Sequence, residues 1–235
     1  MIKNTVQDVR DAFCMKYVEG DFIDTIKAGK MLEIQGLTFV ADEDNIFGKI
    51  NYDYAEAELE WFKSMSRNVD GLFHMWGKKV QIWDIIADNN RNVNSNYGYL
   101  AMHPDNGSQI DKVIATLKRD RTSRQAAAIY TRPSIHEEWN QDGMSDFICT
   151  NAVMYNIRDG VLETTVQMRS NDIIFGFRAD MHWHKWCSDM VADQLGAARG
   201  DIHWQVASAH VYSRHFKLIQ QYMDDRYENF MEPNC

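Results

Sequence analysis

DFICTNAVMYNIRDGVLETTVQMRSND (146–172) decides the fold. Two runs rich in β-branched and aromatic residues, 146–157 and 161–168, flank Arg158-Asp159-Gly160, and an Asp-Gly pair between such runs favours a tight hairpin because both residues tolerate positive φ. An antiparallel pair is therefore predicted at the centre of the chain, with Cys149 in its first strand and Arg169-Ser170-Asn171-Asp172 directly after its second.

Working outward, 31–40, 126–131 and 202–212 have strand character. Apolar residues recur every three or four positions in 5–18, 53–66, 109–119, 181–195 and 214–228, which predicts five helices. Strands and helices in mixed order point to an α+β fold, a mixed β-sheet core with flanking helices. Across 235 residues, 3 prolines and 13 glycines mark no linker, and 45% hydrophobic residues suffice for one core, so 1–235 is expected to be a single domain.

The net charge of −9 disfavours a protein that grips a nucleic-acid backbone, since that task needs clustered Lys and Arg. MIKNTVQDVR has no apolar signal region, and no apolar run reaches the roughly 18 residues of a membrane span. Four cysteines, at 14, 149, 187 and 235, share no motif spacing, so free thiols in a soluble cytoplasmic protein are expected.

Some residues resist a purely structural reading. Glu58 shares a helical stripe with Trp61, Phe62 and Met65, which turns a carboxylate inward, either as a hydrogen-bonded structural group or as one that moves protons. Cys149 has polar neighbours in Asp146, Thr150 and Asn151, yet a strand cysteine is commonly just a small hydrophobe. Arg169 to Asp172 could hold a phosphate and polar ring edges, or form a solvated turn. His182, His184 and Cys187 match no zinc spacing, and no metal is expected. GxGxxG, GxxxxGK[ST], HExxH and GxSxG are all absent, which withholds support from Rossmann, P-loop, zinc-protease and hydrolase-elbow chemistry.

Glu58-Leu-Glu-Trp-Phe62, Asn94-Ser-Asn-Tyr-Gly98, Tyr130-Thr-Arg-Pro-Ser134, Asp142 to Asn151, Arg169-Ser-Asn-Asp172 and His210 to Phe216, read together and in this order, resemble the thymidylate synthase superfamily, most of all its phage deoxycytidylate hydroxymethylases. The likeness implies a thymidylate-synthase-like fold and a sheet-mediated homodimer. It implies that Cys149 adds to ring carbon 6 of a pyrimidine nucleotide, with 5,10-methylenetetrahydrofolate as co-substrate. Glu58 matches the family's proton-organising carboxylate, and Tyr97 the tyrosine implicated in removing the carbon-5 proton. Arg169, expected also to lower the pKa of Cys149, and Ser170 match phosphate contacts, as does Arg124, donated across the dimer to the partner's site. Gln125 replaces a second such arginine, which weakens that contact or shifts it to Arg121. Lys27 or Lys30 could close on the phosphate, Asn171 belongs to the substrate-binding set, and His210 and Tyr212 match the pair at the sugar 3′-hydroxyl. Trp83, Asp172 and Gly176 match folate contacts.

Asp180 stands where the uracil-using enzymes have an asparagine. A carboxyl can accept from the cytosine amine and share a proton with the ring nitrogen, so the expected reaction is hydroxymethylation of dCMP. The alternatives are a dUMP-directed thymidylate synthase or hydroxymethylase, and a catalytically silent binding relative suggested by Gln125.

Overall fold

The computed structural model describes residues 3–231, so Cys235 lies outside the described residues. In chain order the elements are α1 (Val6–Glu19), β1 (Ile23–Thr25), β2 (Gly29–Val40), α2 (Tyr52–Lys63), α3 (Val69–Trp76), α4 (Gln81–Ile86), α5 (Tyr97–Met102), α6 (Gln109–Arg119), β3 (Ala127–Ile129), α7 (Ile135–Glu138), β4 (Thr150–Arg158), β5 (Val161–Asp172), α8 (Gly176–Leu195), β6 (Ala198–Tyr212) and α9 (Phe216–Met231). The expected α+β fold is present: six described strands form one sheet in the order β1-β2-β6-β5-β4-β3. Every neighbouring pair is antiparallel except β5 and β6, which run parallel. Parallel neighbours need a long crossover, and the 20-residue α8 supplies it.

The central hairpin forms as read. Arg158 pairs with Val161, and Asp159 and Gly160 take φ of 50° and 81° between them. β5, however, continues to Asp172, so Arg169 to Asp172 lie in the strand rather than in a turn after it. β4 begins only at Thr150, which leaves Cys149 on a bend at its mouth rather than inside a strand. The helix read over 53–66 stops at Lys63, and Met65 lies beyond it at φ 56°.

One face of the sheet carries Val153, Tyr155, Val166, Trp204 and Val206 into the main core, where α8 lays Phe177, Met181, Cys187 and Val191 on them. Burial alternates along β5 through Leu162, Thr164, Val166 and Met168, then slips by one residue, so that Asn171 rather than Ser170 or Asp172 is buried. β6 slips in the same way between Val206 and Ala209. At the same level β2 interrupts its regular pairing at Gly36, whose φ is 65°. A slip by one position moves side chains to the other face. Here it turns Asn171 and Ala209 inward and opens a polar end to the sheet, beside the mouth of β4.

Candidate active site

Cys149 reaches the polar end of the sheet on a braced loop. Asp146, nearly fully buried, accepts from the amides of Asn94 and Ser95 and from the Ser95 hydroxyl, each at 2.7 Å. The loop before α5 is thereby pinned to the loop before β4. Asn96 caps α5 by accepting from the Tyr99 amide at 2.7 Å, and its own amide donates to the carbonyls of Trp61 and Ser66 at 3.2 and 2.9 Å. At Gly98 an added Cβ would stand 1.7 Å from the Phe62 carbonyl oxygen. Only glycine lets α5 press against the end of α2, where the Tyr97 ring stacks on Phe62 at 5.2 Å. These contacts account for the Asn94-to-Gly98 motif.

Around the sulfur, Arg169 Nη2 lies 3.6 Å from Cys149 Sγ. The same guanidinium donates to the carbonyls of Ile148 at 2.9 Å and Phe147, and packs over the Phe147 ring. Nη1 makes no hydrogen bond among the described residues. Burial pushes the Cys149 thiol up to about 12; Arg169 pulls it down, while the carboxyls of Asp180 and Asp146 add to the rise. The expected lowering by Arg169 is thus real in sign, but desolvation outweighs it.

Glu58 does turn inward and is 3% exposed. Tyr54, one turn earlier, donates its hydroxyl to Oε1, and Trp83 Nε1 donates to the same oxygen at 2.7 Å. Burial raises the Glu58 carboxyl, and the two hydrogen bonds oppose that rise. Tyr54 went unread in the sequence, though its four-residue spacing from Glu58 was a usable signal. Trp83 is half-exposed and packs edge-on to Trp61, so its indole supports Glu58 as well as offering a surface.

Asp180, on the first turns of α8, accepts from Asn171 Nδ2 at 2.8 Å. Trp204 Nε1 donates to Asn171 Oδ1 at 3.3 Å, which fixes the amide with its NH₂ toward Asp180. Burial raises Asp180 to about 8, helped by Glu58, with Tyr97 and Asn171 pulling the other way. Near neutral pH the carboxyl is therefore largely protonated. Tyr97 is pushed well above its ordinary value by burial and then by Asp180 and Cys149, so these three groups share one locale. A Cβ at Gly176 would meet Asn171 Nδ2 at 3.2 Å, which explains a glycine at the start of α8.

His210 Nδ1 donates to the Ser208 carbonyl at 3.3 Å, so its Nε2 accepts from the Tyr212 hydroxyl at 3.0 Å. Burial lowers the His210 pKa, in keeping with a neutral ring. Asp172 is the strand partner of His210 and accepts from the Ile174 amide at 2.9 Å. Ser170 pairs with Ser208 one residue beyond Arg169.

Of the two lysines, Lys27 lies over the Trp139 ring, which packs against Phe147 below Arg169, whereas Lys30 lies over Phe22. Lys27 is the one on the side of Cys149. Arg124 is not brought to this site. The Ala126 carbonyl accepts from the Tyr155 amide, five residues along β4 from Thr150 and therefore roughly 15 Å from the end of the strand beside Cys149, and Arg124 is an exposed residue two positions before Ala126. Arg121 is exposed and donates to the Leu195 carbonyl at 2.9 Å, where it caps α8.

For metals, Glu163, Asp201 and His203 bring ligand atoms within 4.8 Å of one another on β5 and β6. Glu163 is already bonded to His203 and to the Asp201 amide, and Asp201 to Lys3, so this is an ion-pair network. His182 faces Glu56 at the surface while His184 and Cys187 are buried.

A sequence model of thymidylate synthase matches residues 47–233. The deoxycytidylate 5-hydroxymethyltransferases of Enterobacteria phages T4 and T2 are each 42% identical to this chain over 225 residues, covering 93% of it and 90% of their own length. A putative thymidylate synthase of Methanocaldococcus jannaschii is 31% identical over 119 residues, half of this chain and 54% of its own. No described helix is long and apolar enough to cross a membrane. With Cys149, Glu58, Tyr97 and Asp180 gathered at one end of a mixed sheet and a matching family model over most of its length, the chain belongs to the thymidylate synthase family.

Proposed function

We propose that this protein is a deoxycytidylate 5-hydroxymethyltransferase, forming 5-hydroxymethyl-dCMP from dCMP, 5,10-methylenetetrahydrofolate and water. The observation that carries the choice of base is Asp180, a carboxyl at about 8 held by Asn171. In its protonated form it donates to the unprotonated ring nitrogen of cytosine and accepts from the exocyclic amine. Uracil presents the reverse pattern, a carbonyl and an N–H, so the choice depends on which carboxyl oxygen carries the proton. Asn171, by donating to Oδ2, keeps that oxygen an acceptor and leaves the proton on Oδ1. Against that fixed pattern uracil is mismatched by about 1–3 kcal/mol per unpaired group.

The thiolate of Cys149 adds to carbon 6, and the electron pair of the 5,6 double bond shifts to make carbon 5 nucleophilic. Burial holds Cys149 as a thiol, so its proton passes to water at the polar end of the sheet as the sulfur adds, with Arg169 stabilising the anion at 3.6 Å. The folate, when bound, supplies a one-carbon unit at the oxidation level of formaldehyde. Trp83, Asp172 and Gly176 would hold it: exposed Ile82 and Ile85 flank Trp83 on α4, and half-exposed Phe175 precedes Gly176, a fitting lining for a flat heterocycle. Tyr97, which shares its locale with Asp180 and Cys149, would take the carbon-5 proton, and Glu58, raised by burial, is suited to hand protons to and from water there. His210 and Tyr212 bind the sugar 3′-hydroxyl, with Arg169, Ser170 and Lys27 on the phosphate.

The further phosphate cation, Arg124, comes from a second copy of the chain. Its distance from its own Cys149 supports this, as does the sheet face opposite α8, where Leu37, Gln167, Gln205 and Ala207 line a shallow depression and Ile129 stands 61% exposed. Such a homodimer would work on a free nucleotide, without nucleic acid or membrane, in the cytoplasm.

The deciding experiment incubates the protein with dCMP and methylenetetrahydrofolate. We expect a nucleotide heavier by one CH₂O unit and release of tetrahydrofolate. Unchanged dCMP, or dihydrofolate and a methylated base, overturns the reading.

A further inference from the structure

His184 lies beneath the groups that face the base, one turn after Asp180 on the same side of α8. It is wholly buried, with its ring centroid 5.7 Å from Tyr97, 5.7 Å from Tyr130 and 5.5 Å from Trp204. Neither Nδ1 nor Nε2 has a hydrogen-bond partner. Two of the three rings it touches belong to the reading of the base: Tyr97 shares its locale with Asp180 and Cys149, and Trp204 holds the amide of Asn171 that donates to Asp180.

A neutral imidazole carries one donor and one acceptor, and burying both without partners lowers stability. Burial pushes this ring down to about 3, so it stays neutral. An apolar ring of similar size would fill the space without that cost, so packing alone gives no reason for a histidine here.

We propose that His184 is a positioning residue of the reaction: wedged between Tyr97 and Trp204, it sets the phenol over carbon 5 and, through Trp204 and Asn171, the seat of Asp180. The ring tilts 33° to Tyr97 and meets Trp204 near edge-on at 73°. A compact polar ring in those two contacts adds a dipole to the interaction with both π systems, whereas phenyl offers its quadrupole alone and no N–H or ring nitrogen. This inference rests on the roles given above to Tyr97 and Asp180.

The test compares His184→Phe and His184→Gln with the unaltered full-length protein, in melting temperature, kcat and KM for dCMP, and preference for dCMP over dUMP. His184→Phe is expected to melt at or above the parent temperature, while its kcat falls roughly tenfold to a hundredfold through misplacement of reacting groups. Its kcat falls by more than its KM rises, and the preference for dCMP narrows. His184→Gln, which returns a donor and an acceptor, recovers part of the lost turnover. Parental kcat in His184→Phe overturns the proposal, as does a loss in both variants that simply tracks lower melting temperatures. If the unaltered protein fails to hydroxymethylate dCMP, the functional reading itself is overturned, so the parent control separates the two failures.

Discussion

At the scale of the residue, the proposed reaction divides its chemistry between two side chains: Cys149 to make the bond and Asp180 to choose the base. Cys149→Ala should abolish both turnover and hydrogen exchange at carbon 5 of dCMP while leaving the melting temperature near the parent's, because a half-buried thiol contributes little packing. Asp180→Asn swaps a shared proton for an amide, and should lower dCMP turnover by about tenfold to a hundredfold while raising that of dUMP. Competition between the two nucleotides checks this. The pH dependence follows from the raised carboxyl. Asp180 is protonated in the folded protein up to about 8, against 3.8 for the free group. Its stabilising protonation is therefore complete below about 4 and lost as pH rises through about 8. The same titration removes the proton that pairs with cytosine. The ratio of dCMP to dUMP turnover, in which the shared Cys149 step cancels, should fall as pH passes through about 8.

At the scale of the element, the short helix α5 and the ends of its neighbours set the distances between these groups. α5 is only 6 residues long, too short to hold itself, and depends on the Asn96 cap, the Asp146 anchor and contact with α2. Gly98→Ala would drive a methyl into the Phe62 carbonyl. The helix must move, taking Tyr97 with it, at a cost of roughly 1–3 kcal/mol or more in stability. Urea denaturation should register that loss, and turnover should drop further than the remaining folded fraction explains. The slip in β5 and β6 acts on the same scale. Without it Asn171 would turn away from α8, and Trp204 could not orient it toward Asp180.

At the scale of the whole molecule, the proposed dimer makes each site composite. Arg124→Ala and Cys149→Ala should each be inactive or nearly so alone. Unfolded together and refolded, they should regain about a quarter of parental activity, since half the dimers are mixed and each mixed dimer holds one intact site. Absence of recovery in a mixture proven dimeric by sedimentation would place Arg124 outside the reaction. If Gln125 stands where the family resemblance puts a second cation, dCMP affinity should depend more heavily on the remaining contacts, Arg169 and Lys27, and Arg169→Ala should raise the KM for dCMP in steady-state assays.

Local chemistry alone determined much of this protein. The Asp-Gly turn and its flanking β-branched runs specified the central hairpin, because positive φ and strand propensity are properties of neighbouring residues. Helical spacing turned Glu58 inward, since a stripe of apolar residues needs only a 3.6-residue period. Beyond local chemistry, the ordered motifs and their family resemblance proposed roles for Cys149, Arg169 and the His210–Tyr212 pair, and the family position of Asp180 proposed the choice of base. What lay out of reach was whatever depends on distant segments meeting. The parallel pairing of β5 with β6 and the slip at Asn171 and Ala209 arise from contacts between strands, not within them. Tyr54 and Trp83 converge on one oxygen of Glu58 only because α4 folds over α2. The protonation of Cys149 and Asp180 was decided by burial, a property of the folded whole, and burial outweighed the cation whose presence the sequence had disclosed.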